Sequence, residues 1–167
     1  RKLNRAYKNR LAALGPAPKG VFWRNESTQI ARFDALLDLV TTVTPMANLM
    51  ICDVGCGYGA MLDFIQKTPR YQNFNYIGID INRAMIKSCK QKFPDQKHLF
   101  LVGKHPPSPV DLCVFSGTFN LCHTTNTSLW HEYMFANLQK CWHRSRYGLA
   151  LNLLCGPKNE IKNEIFY

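Results

Sequence analysis

Two carboxylates and a run of glycines carry the chemistry legible in this sequence. Asp53-Val-Gly55-Cys56-Gly57-Tyr58-Gly59 follows a short apolar run that starts at Leu49. Glycines in such a place let the backbone turn tightly and let a ligand come close with no Cβ in the way. A helix starting behind them would offer unpaired N–H groups to an anion. By letter, Gly55-x-Gly57-x-x-Ala60 also satisfies the dinucleotide fingerprint, so the glycines alone leave a nicotinamide oxidoreductase open. Asp53 shifts the balance. Two residues ahead of the first glycine, its carboxylate repels a pyrophosphate and attracts a cation. A ligand with an ammonium, a sulfonium and a single carboxylate, such as S-adenosylmethionine, suits that layout better. Asp80 ends a second apolar run, Tyr76-Ile-Gly-Ile-Asp80, about 25 residues after Gly55. That is near the spacing at which an acid meets an adenosine ribose, and its oxygens can accept from both ribose hydroxyls.

The elements that must hold these groups alternate along the chain. Strands are predicted at 49–53, 76–80, 98–102, 110–115 and 147–154. Amphipathic helices between them carry Met61, Leu62 and Ile65, then Met85, Cys89 and Phe93, then Trp130, Tyr133, Met134, Leu138 and Cys141 behind cap-type residues Asn126 to Ser128. Near-continuous apolar strands separated by such helices predict a doubly wound α/β fold, a mostly parallel sheet with helices on both faces. Upstream, Ser27 is the expected N-cap of a helix presenting Ile30, Phe33, Leu36, Leu37 and Val40, and residues 1–14 read as a basic helix ended by Gly15-Pro16-Ala17-Pro18.

Ile51-Cys-Asp53-Val-Gly-Cys-Gly-Tyr-Gly59 resembles the cofactor loop of class I S-adenosylmethionine-dependent methyltransferases, and Tyr76-Ile-Gly-Ile-Asp80-Ile-Asn82 resembles their ribose-binding strand end. The resemblance spans about residues 49–154. It implies that Asp53, Gly55, Cys56, Gly57, Tyr58 and Gly59 flank the methionine part of S-adenosylmethionine, that Asp80 binds the ribose, and that Ile81 and Asn82 lie against the adenine. Gly103 and Lys104 after the third strand, and Ser116 and Gly117 after the fourth, complete the implied cofactor set. The stretch from Trp23 to Phe33, with Gln29 and Arg32, resembles a helix that lids the cofactor in some bacterial members. One departure stands out: many relatives place an acid after the third strand to accept from the adenine amino group. Here Lys104 follows Gly103, and an ammonium cannot accept. The adenine is then expected to rest on backbone or apolar contacts, with reduced affinity. The family sheet has seven strands and five are counted here before Pro157, so the C-terminal strands are expected to be missing, and an exposed apolar edge would then be a liability unless a partner covers it.

Methyl transfer from a sulfonium needs positioning more than acid–base catalysis, so the acceptor is not legible. Ser116 to His123 occupies the acceptor side. It has neither the Asp/Asn-Pro-Pro-aromatic stretch that base-amino methyltransferases share nor the Pro-Cys of cytosine-C5 enzymes. Cys122 therefore reads as core, Trp130 and Trp142 as packing residues, and His123 and Asn120 as the candidates for proton transfer and orientation. The charge of +10 gathers at the start, where seven Lys and Arg precede Glu26. Such a patch suits a polyanion or a solvated helix face. Residues 1–26 are read as a basic helix and linker, and 27–167 as the cofactor-binding domain. Seven cysteines without zinc-site spacing argue for reduced thiols, no metal and a cytoplasmic setting, and no apolar run is long enough for a membrane span. A small-molecule acceptor is slightly favoured over RNA or DNA. A cofactor-binding module without turnover is the other alternative.

Overall fold

The computed structural model describes residues 13–15, 17–18, 25–44, 47–122 and 124–167. The basic stretch expected as a helix over 1–14 lies almost wholly outside them, as do Val21, Phe22 and Trp23. Helix α1, Glu26–Val43, is capped by Asn25 and not by the expected Ser27: the Asn25 Oδ1 accepts from the Thr28 backbone N–H at 2.9 Å. The Ser27 hydroxyl, two residues past the cap, donates to the same oxygen at 2.9 Å. The inward face is also rotated from the expected one. Gln29, Phe33, Leu36, Leu37 and Val40 are buried, while Ile30 stays exposed.

Five strands make one parallel sheet: β1 (Met50–Val54), β2 (Asn75–Asp80), β3 (Phe100–Val102), β4 (Val110–Ser116) and β5 (Ser145–Asn152), in the order β3-β2-β1-β4-β5. Between them run α2 (Ala60–Lys67), α3 (Arg83–Lys92) and α4 (Thr127–Trp142). Side chains alternate across the pleat, and the two cores sort accordingly. Ile51, Leu112 and Val114 face the layer of α1, α2 and α3. Cys52, Val54, Cys113 and Phe115 face Trp130, Met134 and Cys141 of α4. Helices cover both faces, as the sequence pattern predicts. The chain winds from β1 outward to β3, then crosses back to β4, so the ends of β1 and β4 part at the switch point where open α/β sheets hold ligands.

α4 begins at the expected cap, with Asn126 Oδ1 accepting from Leu129 N–H at 3.0 Å. Trp130 is buried, but Trp142 is 58% exposed, against expectation. Twelve residues along a helix turn about 120° beyond whole turns, so the two indoles leave opposite sides. Cys122 is buried, and six of the seven cysteines are buried and unpaired, with Cys155 exposed. Among the described residues no helix is long and apolar enough to cross a membrane, and no cluster of His, Cys, Asp or Glu is placed to hold a metal.

A small antiparallel hairpin, β6 (Ile161–Lys162) and β7 (Ile165–Phe166), was not foreseen. Its turn residues Asn163 and Glu164 both have positive φ, the geometry of a tight hairpin turn. The usual glycine signal is missing there. The hairpin straps the segment after β4: Cys122 N–H donates to Glu164 O and Phe166 N–H to Asn120 O, both at 2.8 Å.

Gly59 shows what the loop demands of its backbone. It sits at φ +80 ahead of α2, and a Cβ there would lie 2.9 Å from Phe93 Cε2 and 3.3 Å from the Phe100 ring. A left-handed conformation costs a non-glycine residue about 1–2 kcal/mol before any crowding. Gly59→Ala is expected to lower unfolding free energy by about 2–3 kcal/mol, read as a lower urea midpoint with an unchanged slope.

Candidate functional site

The switch point opens into a cleft, the kind of concave site that takes small molecules. Strand ends supply its floor. Asp53 and Val54 come from the end of β1, Asp80 and Ile81 from β2, and Ser116, Gly117 and Thr118 from β4. Gly55, Cys56, Gly57 and Tyr58 form one wall, with Gly103 and Lys104 after β3 at the far end. Eleven of the thirteen residues expected at the cofactor therefore come together here. The other two do not. Asn82 is buried with its side chain spent on capping α3, accepting from Ala84 and Met85 N–H. Gly59 faces the aromatic pair under the loop.

The glycine loop is held from below. Gly55 and Cys56 N–H both donate to Ile79 O, at 2.8 and 3.0 Å, and Gly57 N–H donates to Asp80 Oδ2 at 3.0 Å. These three N–H groups point into the fold, toward the carbonyl and the carboxylate that β2 offers alongside. Gly55 has φ +83, and a Cβ there would lie 2.6 Å from Thr118 Cγ2. Thr118 is fixed by its own hydroxyl, which donates to Val54 O at 2.6 Å.

Asp53 is buried in this cleft and Asp80 half-buried, and neither forms an ion pair with a described residue. Burial pushes Asp53 up to about 7, the nearby Asp80 charge adds to that, and a 2.8 Å bond from the Tyr76 hydroxyl works against it. Burial likewise raises Asp80 to about 6, opposed by the Asn82 and Gly57 N–H groups. Each Asp80 oxygen takes one backbone donor, Asn82 N–H at 2.7 Å on Oδ1 and Gly57 on Oδ2, which leaves a lone pair on each for a ligand. Acids raised by burial at the floor of a cleft are candidates for holding a ligand there.

α1 closes one side. Gln29 is buried, its Oε1 accepts from the Tyr58 hydroxyl at 2.7 Å, and Gln29 and Phe33 line the cleft. Arg32 does not. Tyr58→Phe leaves the Gln29 carbonyl without its donor, at a cost of about 1–3 kcal/mol. Faster proteolysis within α1, with the sheet core protected, is the expected outcome. The opposite wall is one face of α4, where Trp130, Tyr133 and Asn137 recur at helical spacing. Trp130 donates from Nε1 to Phe119 O at 3.1 Å, so it packs as expected and also shapes the cleft. Sequence reasoning missed this face because aromatic residues at helical spacing read equally as core. Asn120, a candidate for orienting substrate, accepts from Leu154 N–H at 3.1 Å and does not line the cleft. His123 lies outside the described residues.

A family model described as a methyltransferase domain matches residues 51–144, more than half of the chain. The chain belongs to the methyltransferase domain family. It is 28% identical over 120 residues to Rv1506c of Mycobacterium tuberculosis, provisionally named a methyltransferase, covering 70% of this chain and 71% of that protein. Among solved structures it is similar to the S-adenosylmethionine-bound amino pentose methyltransferase of calicheamicin biosynthesis from Micromonospora echinaspora. There the TM-score is 0.57 at 18% identity, covering 77% of this chain and 52% of the other. A sugar N-methyltransferase from Streptoalloteichus gives 0.55 at 15% identity, covering 77% and 50%. The chain spans about half the length of these solved structures, which share its fold. The matched region of the methyltransferase domain runs from β1 to the turn after α4, and so contains both acids, the glycine loop and the α4 face.

Proposed function

We propose that this methyltransferase domain binds S-adenosylmethionine in the switch-point cleft and passes its methyl group to a small-molecule acceptor. The observation that carries the reading is the pair of carboxylates, buried Asp53 and half-buried Asp80, opening on one cleft with no described cation to neutralise them. Their charge and spacing suit an ammonium at one end and a ribose diol at the other. The same observation disfavours a dinucleotide. A pyrophosphate would face two acids across a loop whose first three N–H groups are already spent.

When bound, S-adenosylmethionine supplies an electrophilic methyl on a good leaving group. The protein's part is placement. Asp53 would hold the ammonium, Asp80 the ribose, and Ile81 and Met85 would flank the base, while α1 with Gln29 and Phe33 keeps water from the donor end. Holding reactants at near-attack distance can supply several kcal/mol, on the order of 7–11 in favourable cases. A small acceptor is favoured because the cleft is concave and walled by Phe119, Trp130 and Tyr133, with Lys104 the one described cation lining it. The test uses methyl-labelled S-adenosylmethionine with separate metabolite, RNA, DNA and protein pools. Label in the metabolite fraction supports the reading, and label confined to a polymer pool reassigns the acceptor. Binding without transfer to any pool would make the domain a binding module.

A further inference from the structure

Lys104 cannot accept a hydrogen bond, yet the cleft's far end is not without an acceptor. The start of the β3–β4 connection and α4 are pinned together there. Lys104 Nζ lies 5.7 Å from the Tyr133 ring centroid, Cys141 Sγ contacts Lys104 O at 3.8 Å, and the Arg144 guanidinium donates to Pro106 and Pro107 carbonyls at 2.9 and 2.8 Å. Asn137, one helical turn after Tyr133, lines the cleft beside Lys104. Its Nδ2 donates to Tyr133 O at 2.6 Å, and only the NH2 side of an amide can do that. The bond therefore fixes which way the amide is turned. Its Oδ1 is left as a positioned acceptor in the half-buried wall.

We infer that Asn137 is the specificity-determining residue for the base of the bound nucleoside: its Oδ1 accepts from the exocyclic amino group of adenine, the part for which the sequence offers no acid. The inference rests on the S-adenosylmethionine reading above. It moves base recognition from the loop after β3 to the face of α4. The second N–H of the same amide faces a ring nitrogen when the base lies edge-on, the two-point match that asparagine makes with adenine. Tyr133 carries the other side-chain oxygen nearby. A phenol hydroxyl rotates freely and serves as donor or acceptor alike, so it cannot reject a 6-oxo base.

The experiment compares binding of S-adenosylhomocysteine and its inosine analogue, in which a carbonyl replaces the amino group, by calorimetry on the full chain. Wild type is expected to prefer the adenosyl ligand about tenfold or more, because the 6-oxo group sets one acceptor against another. In Asn137→Leu the preference is expected to fall to within about threefold, by loss of adenosyl affinity. Tyr133→Phe is expected to leave the preference unchanged. Circular dichroism confirms that each variant is folded. The inference is overturned if Asn137→Leu discriminates as wild type does, or if Tyr133→Phe abolishes the preference. If wild type binds neither ligand, the cofactor reading falls and takes this one with it, an outcome distinct from binding without discrimination.

Discussion

Asp53→Asn is expected to weaken S-adenosylhomocysteine binding by at least about 30-fold while raising the melting temperature of the ligand-free protein at pH 8. The two effects share one cause. Asp53 is buried to 3% exposure, and its acidity is displaced from 3.8 to about 7 chiefly by desolvation. Above pH 7 the ligand-free protein must hold that charge without a partner. Asparagine is nearly isosteric and keeps an oxygen to accept from the Tyr76 hydroxyl, at 2.8 Å in the native protein. The displacement from 3.8 to about 7 sets an upper bound of about 4 kcal/mol on the relief. Asparagine is itself polar and buried, so a gain on the order of 1–3 kcal/mol is expected. Losing a charge-assisted bond to an ammonium costs on the order of 2–4 kcal/mol in such a site, a 30-fold to several-hundred-fold fall in affinity. An Asp53→Asn protein that binds as wild type does would show that the ammonium sits elsewhere.

The second large effect is an opposition between stability and binding as pH changes. For an acid whose folded value is raised, the native state binds protons more tightly than the unfolded chain. The contribution of such an acid to ligand-free stability is therefore full below the unfolded value, declines as pH rises from about 4 toward 7, and stays low above that. Asp53 at about 7 and Asp80 at about 6 both act in this direction. Binding of an ammonium nucleoside runs the other way, since it needs the carboxylates charged. Affinity is expected to rise from pH 5.5 to pH 8, with protons released on binding near pH 6.5. Calorimetry in two buffers of different ionisation enthalpy measures that release. Ligand-free melts at pH 5 and pH 8 measure the other half. A protein equally stable at both, with pH-independent binding, would mean the acids are already neutralised. Saturating ligand should abolish the loss at pH 8, because binding to the native state alone adds stability by mass action.

The fold was legible because periodicity reports burial. Strand centres are apolar on both faces, Ile51 and Val114 on one and Cys52 and Cys113 on the other, and helix faces such as Met61, Leu62 and Ile65 repeat at helical spacing. The floor of the site was legible for a different reason. Positive φ at Gly55, Gly57 and Gly59 and an acid at the end of β2 leave a local imprint in residue type. What sequence did not carry is direction. Gly55 to Gly57 N–H groups turn toward Ile79 O and Asp80 because β2 lies alongside, a fact of topology and not of spacing. Asn82 is chosen by its helix as a cap, which competes with any role at a ligand. The hairpin at Ile161–Phe166 uses Asn163-Glu164 where a glycine would have marked the turn. Asn137 is one of several polar residues on its helix, and nothing in its spacing sets it apart until the helix is seen lining the same cleft as Lys104.

The most direct test of the account is a parallel calorimetric titration of the full chain with S-adenosylhomocysteine and with NAD+. One-to-one binding of the homocysteine nucleoside with a dissociation constant on the order of micromolar or below, and no saturation by the dinucleotide at millimolar concentration, is the predicted result. Tighter binding of NAD+ would contradict it, since a cleft built on two exposed-to-ligand carboxylates has no place for a pyrophosphate.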